Sequence, residues 1–207
     1  MFTWLSMPQL PTVPDMFVQQ AGELAVQKTD NANADRYNNK YLARQLKKDG
    51  AVLPSRYQHG ILLGTDWEQW VQQNIMQDYH STGVRISAGP EHATVHGAHV
   101  DGWIDNSPTY KLYYLINPGG DDVRTVFYRE HGHAAERYSA WGDPTRCDDY
   151  NNLVEIDSVK FPKAQWILLN TGILHGVENI TGLRVNLAVV FESSKIELIF
   201  NYKRKQS

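Results

Sequence analysis

The 207 residues contain a single cysteine, Cys147. One thiol cannot close an internal disulfide, so packing must hold the fold, and a reducing cytoplasm is the expected compartment. Cys147 itself lies in the polar run Gly142–Asn152 and reads as an ordinary loop thiol. Long apolar runs are missing too. The longest pieces, such as Trp166–Leu169 and Leu187–Phe191, fall far short of the roughly 18 residues of a membrane-crossing helix, so no membrane partner is expected. Charge of one sign is not in excess either: 20 basic against 23 acidic side chains leave a net charge of −3, which provides no global field toward nucleic acid or an anionic surface. The tail Lys203–Lys205 reads as a solvated end. Met1–Pro14 lacks a basic stretch and is interrupted by Pro8, Pro11 and Pro14, unlike a secretory signal. Internal repeats and low-complexity segments are absent.

What is present suffices for a core. Hydrophobic residues make up 42% and charged residues 21%, with a mean hydropathy of −0.48, too apolar and too weakly charged for disorder. The length suits one domain spanning 1–207, with a mainly helical flank over 1–80 and a β-rich core over 82–203. Apolar spacing predicts helices over Met16–Val26, Tyr37–Lys48 and Asp66–Tyr79, the last with Asp66 as N-cap, and Thr29–Asp35 as a loop. Strands are predicted over Gly83–Ala88, Ala93–Val100, Thr109–Ile116, Val123–Glu130, Leu153–Val159, Gln165–Asn170, Leu183–Glu192 and Ile196–Tyr202. Turn signals such as Gly89–Pro90, Asn117–Gly120 and Thr181–Gly182 separate them. The expected fold is mainly β with a helical flank: a β-sandwich or a double-stranded β-helix (jelly-roll, cupin-like) core packed against N-terminal helices.

His99 and Asp101, at i and i+2 on a strand end, share one face and begin a metal site. His175, after the turn Asn170–Gly172, is the best-placed third ligand. Two histidines and one carboxylate leave three positions of an octahedron open, the ligand set of non-heme Fe(II) oxygenases. The bland alternative is three polar residues making ordinary hydrogen bonds. Arg184 begins the strand Leu183–Glu192. Parity places Val185, Leu187 and Val189 on one face, against helices, and Arg184 and Asn186 on the other. An enclosed arginine needs an anion, either Glu178 or Glu192 in a salt bridge or the far carboxylate of a dicarboxylic co-substrate held by the guanidinium fork. The same parity groups Tyr110, Leu112, Tyr114 and Ile116, with Tyr114 a candidate hydrogen-bond partner of that carboxylate. Trp103 and Tyr110 are candidates for the pocket mouth, and Asn186 for contact with substrate or co-substrate.

His99-Val100-Asp101, Tyr113-Tyr114-Leu115, Gly119-Gly120, and His175 with Arg184 resemble the Fe(II)/2-oxoglutarate-dependent dioxygenases, most closely their prolyl-hydroxylase-like branch. The resemblance covers roughly residues 83–192. It implies a double-stranded β-helix, Fe(II) on His99, Asp101 and His175, and 2-oxoglutarate chelating that iron while Arg184, assisted by Tyr114, anchors its 5-carboxylate. It further implies oxidative decarboxylation of 2-oxoglutarate to succinate coupled to hydroxylation of an unactivated C–H bond, with O2 as oxidant and ascorbate as auxiliary reductant. A prolyl or other amino-acid side chain, a free amino acid or another small molecule are all open as substrate. Asp121-Asp122 after the glycine pair and the long polar segment Arg137–Asn152 depart from the family pattern.

Two other readings compete. Glu130-His131-x-His133 with Glu136, followed by Gly172-x-x-His175-x-x-x-Asn179, resembles the two short cupin motifs and implies a metal on His131, His133, Glu136 and His175. The spacing between His133 and Glu136 is short for it, Ala134–Ala140 reads as more helical than extended, and Arg184 is left unexplained. A non-catalytic β-sandwich binding module, using exposed aromatics among the six tryptophans and 11 tyrosines, is the second. His92 and His96 complete a His-x3-His-x2-His series with His99, but parity turns His96 to the opposite face; His59 and His80 have no partner of suitable spacing.

Overall fold

From residue 81 onward the described chain is built mostly of antiparallel strands, as its alternation of branched and aromatic residues with turn signals predicts. The computed structural model describes residues 2–26, 63–88, 98–101, 109–130, 137–138, 144–145 and 153–200. The strands are β1 (Trp4–Ser6), β2 (Ser81–Ala88), β3 (Thr109–Pro118), β4 (Arg124–Glu130), β5 (Arg137–Tyr138), β6 (Pro144–Thr145), β7 (Leu153–Val159), β8 (Trp166–Asn170), β9 (His175–Glu178) and β10 (Leu183–Glu192). One sheet has five strands in the order β1-β8-β3-β10-β2, a second has three in the order β7-β4-β9, and β5 and β6 form a small ladder. This mainly antiparallel architecture with few helices is compatible with a β-sandwich or jelly roll.

The larger sheet is covered on both faces, and parity along β10 shows how. Val185, Leu187, Val189 and Phe191 join Val84, Leu112 and Leu168 in a cluster with Phe17 and Ala21 of helix α1 (15–26), with Trp67 and Val71 of helix α2 (Thr65–Asn74), and with Ile199 of helix α3 (Ile196–Phe200). On the opposite face, Leu115, Ile167 and Leu169 meet Phe127 and Val159 of the three-stranded sheet, closed by Phe161. Trp67 anchors the helical layer. It is fully buried, packs its ring edge-on to Phe17 at 5.3 Å, and donates its indole N–H to Thr82 Oγ1 at 2.8 Å; that hydroxyl in turn donates to the Ala188 carbonyl at 2.8 Å. A large aromatic whose one polar atom is satisfied fits a dry interior.

Several expectations are corrected. Gly64, at φ +91°, is the N-cap of α2, and Asp66 lies inside the first turn with Glu68, where acidic groups complement the helix dipole. The helix ends at Asn74 rather than Tyr79, and the Asn74 amide donates to the Trp70 carbonyl at 2.9 Å. Residues 196–200 are helical, not a strand. β10 stops at Glu192, a 3-10 turn over Ser193–Lys195 follows, and Ile196 and Ile199, one helical turn apart, pack into the helical layer. Residues 137–138, inside the segment read as helical, are extended in the β5–β6 ladder. β1 and β9 were missed because three and four residues carry too little pattern. The expected helix Tyr37–Lys48 and loop Thr29–Asp35, the strand residues 93–97, and His59, His92, His96, Trp103, Cys147 and Lys203–Lys205 lie outside the described residues.

Candidate metal and dicarboxylate site

His99 and Asp101 are held on a short stretch that pairs with the start of β9. His99 N–H donates to the His175 carbonyl at 2.8 Å, His175 N–H donates back at 2.9 Å, and Asp101 N–H donates to the Thr171 carbonyl at 3.0 Å. These bonds bring side chains 76 residues apart in the chain onto one spot. His99 Nε2 lies 3.7 Å from Asp101 Oδ1, His175 Nε2 lies 3.4 Å from Asp101 Oδ2, and the candidate ligand atoms all fall within 4.8 Å of one another. His175 is buried, its ring 6.1 Å from that of Phe127, the residue opposite it on β4. Its Nδ1 is 2.8 Å from the Ile173 carbonyl. A carbonyl only accepts, so Nδ1 carries a proton there and Nε2, the ring nitrogen that faces Asp101, is the atom available to a metal.

Burial alone would raise the Asp101 carboxyl, but the Lys111 ammonium and the two imidazoles outweigh it and hold the group well below the usual carboxylate range. Lys111 Nζ approaches Asp101 Oδ2 to 2.6 Å, yet that oxygen completes no aligned hydrogen bond. An ionised carboxylate with an unsatisfied oxygen between two imidazoles fits a cation, so these three residues could hold a metal.

Arg184 is the second feature of the site. It is only 4% exposed, and burial pushes its guanidinium down to about 10. One Nη2–H donates to Thr125 Oγ1 at 3.3 Å and Cζ lies 4.7 Å from the centre of the Phe161 ring, while Nε and Nη1 have no hydrogen-bond partner. The salt-bridge alternative is not realised: Glu178 pairs with Arg124 at 2.8 Å and accepts from Tyr128, and Glu192 accepts from Ser194. Thr125 and Phe127 lie two residues apart on the inward side of β4, so Arg184 and His175 reach that strand about 7 Å apart. Asn186, one inward position along from Arg184, is buried with an unpartnered Oδ1.

Tyr114 does not belong here. It lies in the helix-facing cluster, its ring 5.2 Å from Trp166, hydrogen-bonded to the Val13 backbone, and burial raises its phenol. Tyr110 lies on that face as well, between Phe2 and Phe191, so it does not line a pocket mouth. Parity grouped these residues correctly but could not say which face turns inward, because both faces of β3 carry a tyrosine. The inward set is Lys111, Tyr113 and Leu115, and Tyr113 neighbours Arg184 electrostatically. Lys111 was missed, although a lone lysine between Tyr110 and Leu112 was a readable signal of a buried cation. His131, His133 and Glu136 lie outside the described residues.

The glycine pair sets the position of Arg184. Gly119 has φ +80°, its carbonyl accepts from Thr181 N–H at 2.9 Å and Gly182 N–H at 2.7 Å, and a Cβ there would come within 2.9 Å of Arg184 Cβ and N. Gly119→Ala therefore combines left-handed strain with a backbone clash. It should cost about 1–3 kcal/mol in chemical denaturation and displace Arg184, because the clash falls on its backbone and Cβ.

No protein-family model and no curated protein matches the sequence. In a comparison of structures, seven chains match. One is a nickel complex of the non-heme monooxygenase ThoJ, with 12% identity, a TM-score of 0.38, and 91% of this chain aligned to 72% of that one. Another is an N-substituted L-amino acid dioxygenase from Burkholderia ambifaria AMMD in complex with alpha-KG, with 15% identity, a TM-score of 0.37, and 90% of this chain aligned to 72% of that one.

Proposed function

We propose that this chain is an Fe(II)- and 2-oxoglutarate-dependent oxygenase, a hydroxylase of an unactivated C–H bond, folded as a double-stranded β-helix over its β-rich part. The observation that carries the reading is a buried arginine with two guanidinium nitrogens unpartnered and no carboxylate beside it among the described residues, facing the same strand β4 as His175 of a two-histidine, one-aspartate cluster. Strand order supports the fold: β2, 98–101, β3 and β4 alternate between the two sheets, and after the β4–β7 turn-back β8, β9 and β10 alternate again.

Fe(II) held by His99, Asp101 and His175 would supply the activation of dioxygen that no side chain provides. The residues of the chain do the rest. Arg184 offers parallel N–H donors to the distal carboxylate of the co-substrate, while Thr125 and Phe161 keep the guanidinium plane in place. Thr125, which holds the guanidinium, and Phe127, which pairs with His175, are two residues apart on β4, so a dicarboxylate bridging the guanidinium and the triad would lie along that strand. Leu115, Phe127, Ile167 and Leu169 keep water from the intervening space, which strengthens each charge interaction there. The Ile173 carbonyl fixes the His175 ring, and Asn186 presents an amide to whatever enters beside Arg184.

The test is succinate release from 2-oxoglutarate with Fe(II) and ascorbate, together with anaerobic Fe(II) and 2-oxoglutarate binding. The expected result is slow release in the absence of added substrate, unchanged in His131→Ala. A protein that binds neither Fe(II) nor 2-oxoglutarate overturns the proposal, and metal binding lost in His131→Ala but kept in Asp101→Ala transfers the metal to the cupin ligands.

A further inference from the structure

Lys111 has no place in the ligand set or in the anion anchor, yet its ammonium stands against the one carboxylate of the ligand set. It leaves β3 on the inward face, opposite Val190 of β10 and Leu169 of β8, with its side chain only 14% exposed, and Asp101 is its one acidic partner among the described residues. A lysine is seldom buried among apolar neighbours unless its charge is used, because desolvating the ammonium is costly. Here the use is specific. Its Nζ stands 2.6 Å from Oδ2 of the carboxylate that would bind the metal, so any cation shared by His99, Asp101 and His175 lies next to a fixed positive charge. Arg184 lies on the same inward face of the sheet, six residues along β10 from Val190, so the described inter-sheet space holds two cations and, at the triad, one carboxylate.

We infer that Lys111 is a positioning residue that weakens metal binding by the empty pocket and makes tight binding depend on an anionic co-ligand. The inference rests on the metal triad of the proposed function. The ammonium offsets the charge of the triad carboxylate and repels a dication, so the metal on its own binds loosely. A dicarboxylate brings two negative charges into a space with excess positive charge, and the metal then binds in a balanced field. Because linkage is reciprocal, the metal tightens the dicarboxylate by the same factor. The pocket loads both or neither, which keeps a redox metal from residing there without its co-substrate.

The experiment measures the Mn(II) dissociation constant, from the electron paramagnetic resonance signal of free Mn(II), with and without saturating 2-oxoglutarate. It uses the full chain as wild type, Lys111→Met, Lys111→Gln, Lys111→Arg and Asp101→Ala, each checked for folding by thermal melting. Lys111→Met and Lys111→Gln should bind Mn(II) alone about tenfold more tightly than wild type, the scale expected for removing one charge beside a dication in a partly solvated pocket. The factor by which 2-oxoglutarate tightens Mn(II) should shrink correspondingly in both, and Lys111→Arg should behave as wild type. The glutamine variant keeps a hydrogen-bond donor, so it separates charge from orientation of the carboxylate. Equal or weaker Mn(II) binding in the two neutral variants, with wild-type binding that Asp101→Ala abolishes, overturns the role of Lys111 and leaves the metal site standing. Absence of any Mn(II) binding sensitive to Asp101→Ala removes the metal site and the inference together.

Discussion

Replacing Arg184 by methionine will stabilise the unliganded protein and abolish its response to 2-oxoglutarate. The guanidinium is buried with one hydrogen bond and an aromatic face for company, and a pKa lowered from the ordinary arginine range to about 10 corresponds to a cost of about 3 kcal/mol in the folded state. The folded chain releases this proton more readily than the unfolded one, so the deficit is constant below about pH 10 and is relieved only as pH rises above it. Methionine fills similar volume beside Phe161 with no charge to desolvate. If half to all of the deficit is recovered, the melting temperature of the unliganded protein rises on the order of 5 °C. The wild type should instead be stabilised by 2-oxoglutarate or succinate in proportion to the logarithm of ligand concentration over Kd, a response the methionine variant lacks. Differential scanning fluorimetry with and without 10 mM-scale ligand reads both effects, and the 2-oxoglutarate requirement in turnover should rise by about 100-fold or more for a lost charge-assisted pair. A methionine variant that melts lower than wild type and still responds to dicarboxylates would show that the arginine has another partner.

Asp101→Ala should eliminate metal binding and 2-oxoglutarate turnover while also destabilising the metal-free protein. Removing the only carboxylate of the triad leaves two imidazoles and no anionic ligand, too weak a set for Fe(II) in competition with water. It also leaves the Lys111 ammonium enclosed without its counter-ion, at a cost of roughly 1–3 kcal/mol for a pair this far from solvent. The double variant Asp101→Ala/Lys111→Met separates the two consequences: stability should return to within about 1 kcal/mol of wild type while metal binding stays absent. The pH dependence has a definite sign as well. Because the folded carboxyl is held well below its ordinary value, its contribution is fully present above the unfolded value of about 3.9 and is lost only as pH falls through the lower folded value. The stability gap between wild type and Asp101→Ala should therefore persist unchanged from pH 8 to pH 5 and close in strong acid.

Much of this was legible from residue order. His99 and Asp101 at i and i+2, and Arg184 and Asn186 at the same separation, share faces because a strand repeats every two residues, and both pairs lie as that period requires. The partner of the first pair, His175, was placed by a turn and a preceding apolar strand. The place of Tyr114 is not legible for a physical reason: strand periodicity groups residues by face and does not name the face. On β10 the groups differ in polarity and the choice is easy. On β3 they do not, since Tyr110, Leu112 and Tyr114 are as apolar as Tyr113 and Leu115 around Lys111. The terminal helix at Ile196–Phe200 was missed because five apolar-rich residues fit either period, and the deciding fact, that Ile199 has a helical layer to enter, is not local.

The order of residues by itself determined which side chains can act together along each strand, the excess of β-structure after residue 81, and the residue types of a two-histidine, one-carboxylate cluster. Those properties depend on neighbours within a few positions. Only the tertiary structure decided that Arg184 meets Thr125 and Phe161 and no glutamate, that Tyr113 instead of Tyr114 turns inward, and that Lys111 stands against Asp101. Each of these depends on which sheet lies across the core, a choice made by summed apolar burial over both faces of the five-stranded sheet, to which no single segment contributes enough to be read alone.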